Sequence, residues 1–305
     1  LPAATPDYCR LKKMLRPFRL EEPRTVSEAA ELLARHGESA RIYAGGTELL
    51  LAMKEGLIRC ERIINIKKIP GLDHVELENS TVRIGALATH HRLEQSPVLS
   101  QCIPAFVVME SNVANVRVRG AGTLGGNLCF AEPHSDPGTL LLALGASVSV
   151  QSAARKREIP IEEFFVGAFE TALGADEVVT EVRVPVPGPD AAATYIKFGY
   201  LERPSVGVAL SLTLDAERAT VLNARVAVGS AGPQPKHVAE AGAILGGAGV
   251  RDATDRLEQA GDIAARAADA VSDLHGPADY KEHLIRVLLR RAFNQLVNAP
   301  QSNPQ

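Results

Sequence analysis

The 305-residue sequence lacks several things, and each absence removes a class of function. No apolar run approaches the ~20 residues that a membrane-spanning helix requires. Charge of one sign is missing too: 33 Lys+Arg stand against 36 Asp+Glu, net −3, with both signs scattered along the chain. A nucleic-acid surface needs a basic stripe, so the charge pattern argues against that partner. Cysteine is scarce, and Cys9, Cys60, Cys102 and Cys129 lie far apart with no CxxC pair. Metal and iron–sulfur sites want closely spaced ligands. A disulfide framework belongs to small secreted domains, not to a chain of this size without a signal-peptide pattern. Buried or incidental thiols in a cytoplasmic protein are the expectation. No Ser/His/Asp, zinc or paired-carboxylate constellation stands out.

What is present describes an ordinary globular chain. Apolar residues make up 46% and charged residues 23%, and the length suffices for two or three domains. Residues 1–13, LPAATPDYCRLKK, carry no apolar period and precede Met14, so a disordered extension with a start at Met14 is expected.

Thr25-Val-Ser-Glu28 is a capping box, and Val26, Ala29, Ala30, Leu32 and Leu33 give the apolar face of a helix from Val26 to His36, closed by Gly37. ARIYAGGTELLLAMK reads as a strand, a Gly-Gly turn and a helix; RIINI is a second strand. HVELENSTVRIGAL alternates around Asn79-Ser80 and predicts a hairpin. From His90 to Asn115 the pattern is helical, with Ile103, Phe106, Val107 and Glu110 suitably spaced. A helix DPGTLLLALG, a strand ASVSVQ and a strand VVTEVRVPVP follow, up to a Pro-Gly-Pro boundary at 187–189. TYIKFGY, VGVALSLTLD and ARVAVGSAG then read as three antiparallel strands, since their connections are too short for crossover helices. Three helical stretches end the chain, the last with Tyr280, Leu284, Val287, Leu288 and Phe293 available for one face.

Gly120, Gly122 and Gly125 spell GxGxxG, the string of a dinucleotide-binding turn. That fingerprint must follow a strand, open a helix directly, and meet an acid at the end of the next strand. NVRVR before it could be a strand, but GNLCFAEPHSDP after it reads as no helix, and SVSVQ ends without an acid. The glycines need another reason. Thr123-Leu-Gly-Gly-Asn127 and Ala44-Gly45-Gly46-Thr47 each offer consecutive unobstructed N–H groups and a Thr hydroxyl. The first-occurring loop also opens a helix, whose N-terminus favours anions. Two such loops could grip one diphosphate from two sides.

RIYAGGTELLLAMK, VRIGALAT and GTLGGNLCFAEPHSDPGTLLLALGA, in this order, resemble the FAD-binding medium subunit of molybdenum hydroxylases, the group of carbon monoxide, aldehyde and xanthine dehydrogenases. FFVGAFETAL, TYIKFGY and RVAVGSAG extend the resemblance over nearly everything from Met14 on. It implies an α+β chain: a two-subdomain FAD-binding fold of the vanillyl-alcohol oxidase (PCMH) type over 14–66 and 67–189, then a C-terminal domain over 190–305 of three antiparallel strands with helices. It implies that Ala44, Gly45, Gly46, Thr47 and Glu48 form one diphosphate loop and Thr123, Leu124, Gly125, Gly126 and Asn127 the other. Asp136 would hydrogen-bond the cofactor and Lys197 would lie near the flavin, although a Lys on a strand is usually a solvated edge residue.

Some positions depart from the family pattern. Glu48 stands where Asp or Ser is common and is expected to cap a helix rather than touch phosphate; Phe130 and His134 replace small residues. His134 reads as a loop histidine and His90-His91 as surface residues. The resemblance further implies noncovalent FAD, and a molybdenum cofactor and two-iron two-sulfur clusters in partner subunits. Those partners are a small iron–sulfur chain and a large molybdenum chain, assembled as a dimer of heterotrimers. Two other readings stay open: a free-standing FAD oxidoreductase of the same fold, and a non-enzymatic nucleotide-binding module.

Overall fold

A computed structural model describes residues 15–199 and 203–298; the expected extension over 1–13 lies outside them. The first strand, β1 (Arg19–Glu21), leads into α1 (Val26–His36), where Thr25 Oγ1 accepts from the Glu28 N–H at 3.1 Å and Gly37 ends the helix at φ +50°. Ala29, Ala30 and Leu33 are its buried stripe, as the capping box and spacing predict. β2 (Ala40–Tyr43), α2 (Leu49–Lys54) and β3 (Arg62–Asn65) complete a parallel sheet of order β1-β3-β2. Crossover helices are what parallel neighbours require.

The next stretch begins with the predicted hairpin, β4 (Val75–Glu78) and β5 (Thr81–Gly85), turning at Asn79 and Ser80, both at positive φ. The single helical pattern over 90–115 resolves into α3 (His90–Glu94), α4 (Pro97–Cys102) and α5 (Pro104–Ser111). Pro97 and Pro104 each open a new helix, because a proline inside one would lose a hydrogen bond and clash with the preceding turn. Two further readings are corrected here. NVRVR is no strand but α6 (Val116–Ala121), started by Asn115 Oδ1, which accepts from the N–H groups of Arg117 and Val118. The segment after Gly122 does form a helix, α7 (Leu124–Phe130), capped by Thr123. A helix before the glycines is no dinucleotide-binding turn.

α8 (Pro137–Leu144) is buried along its whole length. β6 (Ser147–Gln151), β7 (Lys156–Pro160), the single turn α9 (Ile161–Phe164), the short hairpin β8 (Phe165–Gly167) and β9 (Glu170–Thr171), and β10 (Val178–Pro185) follow. They complete an antiparallel five-stranded sheet of order β4-β5-β10-β6-β7.

The last part contains β11 (Ala191–Phe198), β12 (Val206–Leu214) and β13 (Val221–Gly229), antiparallel as expected. A two-residue β14 (Lys236–His237) makes the sheet four-stranded instead of three. α10 (Ala239–Leu245), α11 (Thr254–Ala267) and α12 (Ala278–Val297) cover one face. On α12, Leu284, Leu288 and Phe293 are buried while Tyr280, expected with them, is exposed. Val206, Val208, Leu210, Leu212 and Leu214 of β12 join the core under these helices, whereas Ala209 and Ala227 face the core containing α8. Period-2 alternation between two apolar layers explains why β12 is apolar almost throughout. At Gly229 a Cβ would overlap the Thr139 side chain, so glycine lets α8 press against β13.

Candidate functional site

The two glycine segments meet. A Cβ on Gly45 would overlap the carbonyl of Ala121 and crowd Gly122, and one on Gly126 would lie 3.9 Å from the Ala44 Cβ. Gly46 holds φ +75° against the Tyr43 ring, a conformation that disfavours any other residue. The backbone N–H groups of Gly45, Gly46 and Thr47 take no partner among the described residues. Donors bunched on a glycine loop and left unpaired by the protein suit an oxygen-rich anion such as a diphosphate.

The second segment differs from its sequence-based reading. Its N–H groups are engaged within the protein: Leu124 donates to Ala88 O, Gly125 to Ala86 O, Gly126 to Thr123 Oγ1 and Asn127 to Thr123 O. These bonds stitch the start of α7 onto the segment after β5. It therefore offers close backbone approach at Gly126 rather than a row of free donors.

Asp136 stands at the N-cap position of α8 but makes no side-chain cap. Its carboxylate is buried, accepting from Tyr195 Oη at 2.6 Å and Lys197 Nζ at 2.9 Å. Lys197 also donates to Asn112 O at 2.8 Å, so this edge-strand lysine turns inward rather than into solvent. Ser135 Oγ donates to Asn127 Oδ1 at 2.6 Å, tying the Asp136 loop to α7. Burial pushes the Asp136 carboxyl up, against the pull of Lys197 and Tyr195. Burial and the neighbouring Asp136 push the Tyr195 phenol well above its ordinary value.

Two readings change, those of His90 and Glu48. His90 is buried, not a surface residue; its Nδ1 lies 2.7 Å from Glu110 Oε2, while His91 is exposed. Burial opposes charge on His90, but the Glu110 carboxylate outweighs it and the pKa is raised. Glu110 itself is pushed up, chiefly by complete burial, and its Oε1 has no partner among the described residues. His134 lies in the loop between α7 and α8, as read, and is held there between Glu132 Oε1 and Asp273 Oδ2, each at 3.1 Å, with its ring against His275. Glu48 occupies the N-cap position of α2 without a side-chain cap bond and pairs instead with Arg203.

The sequence reading missed Tyr195, His90, Glu110 and Arg203. Glu110 carried a signal, an acid on an apolar helical face; Arg203 carried none. No group of three or more His, Cys, Asp or Glu among the described residues is placed to hold a metal ion. No helix among them is long and apolar enough to cross a membrane.

Two family models match in succession: the FAD binding domain in molybdopterin dehydrogenase over residues 16–187, and the CO dehydrogenase flavoprotein C-terminal domain over 203–296. The nicotine 6-hydroxylase medium subunit of Paenarthrobacter nicotinovorans is 31% identical, covering 90% of this chain and 96% of its own. The carbon monoxide dehydrogenase medium chain of Hydrogenophaga pseudoflava is 30% identical, covering 91% and 96%. A crystal structure of the cyanide-inactivated Cu,Mo-CO dehydrogenase superposes with a TM-score of 0.89 at 28% identity, covering 93% of this chain and 99% of that one. A fold shared over whole chains, with sequence identity across both family models, makes this protein a member of the FAD-binding medium subunits of the molybdenum hydroxylases.

Proposed function

We propose that the chain is the FAD-binding electron-transfer subunit of a multi-subunit molybdenum hydroxylase. The carrying observation is the direct contact of the two glycine segments, with the N–H groups of Gly45, Gly46 and Thr47 unpaired among the described residues. In this reading Ala44, Gly45, Gly46, Thr47 and Glu48 form one wall of the cofactor seat. Thr123, Leu124, Gly125, Gly126 and Asn127 form the other. Asp136 and Lys197 supply a polar seam beside them. FAD, bound without a covalent link, supplies the ability to take electrons singly and release them in pairs, which joins iron–sulfur clusters to a terminal acceptor. This chain holds, orients and electrostatically tunes it.

The organisation we propose is a first subdomain over 14–66, a second over 67–189 and a C-terminal domain over 190–305. Molybdenum cofactor and two-iron two-sulfur clusters belong to the large and small partner subunits, as names such as "medium chain" among the relatives support. A doubled heterotrimer in the cytoplasm is the proposed assembly. Electron transfer needs a short, fixed distance between carriers, so the contacts with partners should be of the obligate kind, roughly 2,000 Å² or more.

The test is to purify the complex from its host, measure its metals, and reduce it with a panel of aldehydes, purines, N-heterocycles and carbon monoxide while following flavin bleaching. The intact complex should bleach and this subunit alone should not. Equal rates in both would leave a free-standing oxidoreductase as the better reading. Acid precipitation should release all the flavin to the supernatant; a yellow pellet would contradict noncovalent binding.

A further inference from the structure

Arg203 precedes β12, yet its guanidinium reaches Glu48, at the end of the first glycine segment, and Glu132, in the loop that follows the second. Nη2 lies 3.3 and 3.4 Å from the two carboxylate oxygens of Glu48, directly after Gly45-Gly46-Thr47, and Nη1 lies 3.2 Å from Glu132 Oε1, two residues past α7. Glu132 is held from a second direction, because its Oε2 accepts from the His134 N–H at 3.1 Å and its Oε1 faces His134 Nδ1. His134 Nε2 then meets Asp273, which accepts from the fully buried Lys281 at 2.6 Å. The C-terminal part of the chain thus holds Glu48 and the loop after α7 through charged arms.

Two carboxylates beside a seat for a diphosphate pose a problem. A diphosphate carries negative charge at neutral pH, and a like charge about 4 Å away weakens binding by roughly fivefold even at the dielectric of bulk water. Both terminal nitrogens of Arg203 face these carboxylates.

We propose that Arg203 is a positioning residue of the diphosphate seat: it neutralises and orients Glu48, at the end of the first glycine segment, and Glu132, in the loop after α7, so that neither carboxylate opposes the cofactor's charge. The inference rests on reading those segments as the FAD seat. It assigns Glu48 to the framework, as a carboxylate that must be offset, rather than to the ligands. The pair is partly solvated, with Arg203 45% and Glu48 36% exposed, so salt should screen the effect.

The experiment uses the deflavinated complex, titrated with FAD at low and high salt while flavin fluorescence is followed. Arg203→Gln should raise the Kd for FAD by on the order of tenfold at low salt and less at high salt, with Arg203→Lys between it and wild type. Adding Glu48→Gln to Arg203→Gln should recover part of the lost affinity, since one of the two uncompensated carboxylates is then gone while Glu132 keeps only its His134 contacts. Glu48→Gln alone should bind FAD as tightly as wild type or tighter, a readout that holds even if Arg203→Gln folds poorly. An Arg203 that grips phosphate itself, or merely stabilises the fold, would leave the double variant as weak as Arg203→Gln, and that result overturns the proposal. So does an unchanged Kd in Arg203→Gln, or a weaker one in Glu48→Gln. Gly45→Val separates the two levels. Full FAD affinity there removes the seat itself, whereas lost affinity there without restoration in the double variant removes only the role of Arg203.

Discussion

Lys197 Nζ lies 2.9 Å from Asp136 Oδ2, an ion pair that joins the first strand of the C-terminal sheet to the N-terminus of the buried helix α8. Both partners were singled out in the sequence, but nothing there indicated that they meet. The Asp136 side chain is 5% exposed, so its charge depends on this amine and on the Tyr195 hydroxyl.

Lys197→Met should therefore destabilise the protein by about 2–4 kcal/mol near neutral pH, because one charge stays buried without its counter-ion. Burial already holds the Asp136 pKa above its ordinary value. A raised carboxyl pKa means the folded state binds the proton more readily than the unfolded one, so the deficit should shrink as pH falls through the folded pKa. Urea unfolding between pH 8 and 5 measures this. Adding Asp136→Asn should recover most of the loss; no recovery would show that Lys197 acts by packing alone.

Gly126→Val should cost cofactor rather than fold. The added methyls would enter the space beside Thr123 Oγ1 and Ala44 Cβ, where close approach of the diphosphate is proposed. Circular dichroism should match wild type while flavin occupancy drops several-fold. Full occupancy would misplace the seat.

His90→Ala should destabilise by about 3–5 kcal/mol, since Glu110 would be left fully buried with no partner on either oxygen. The double variant with Glu110→Leu should be more stable than His90→Ala, because the apolar replacement removes the orphaned group. Denaturant midpoints decide between this and a simple cavity effect, in which the second change would not help.

Glu177 gives a pH-dependent case of the opposite sign. Arg157 grips it with two bonds of 2.8 and 2.7 Å, and the Gly174 N–H adds a third at 2.8 Å. The Arg157 bonds, helped by that N–H against the cost of burial, lower its pKa to about 2. A depressed carboxylate contributes stability that is present above the unfolded value of 4.5 and lost as pH falls toward about 2. Glu177→Gln should cost on the order of 2–3 kcal/mol at pH 7, and the gap to wild type should close steadily below pH 4.5. A gap independent of pH would assign the effect to shape.

Local signals were legible where one segment decides its own structure. Thr25 and Gly37 mark both ends of α1, and Asn79-Ser80 turns the β4–β5 hairpin, because caps and turns are set by neighbouring residues. The region around the second glycine segment was not, since α6 and α7 are single turns or little more and owe their form to Asn115, Thr123 and the carbonyls of Ala86 and Ala88. Short helices are marginal on their own and take their stability from such tertiary bonds. The family resemblance located the candidate seat, but the free donors of one segment and the satisfied donors of the other emerge only when distant carbonyls are in place. His90 and Glu110 illustrate the same limit: 20 residues apart, each polar by type, they are buried only as a pair.

α8 is enclosed on every side, and Asp136 is carried at its start. An electron carrier is slowed by each rearrangement of the atoms around it when its charge changes. A helix with no exposed face has no direction in which to swing, and its close fit at Gly229 of β13 leaves little room to slide. The proposed flavin seat is therefore anchored to a helix packed on every side, an arrangement suited to a low reorganisation energy for electron exchange.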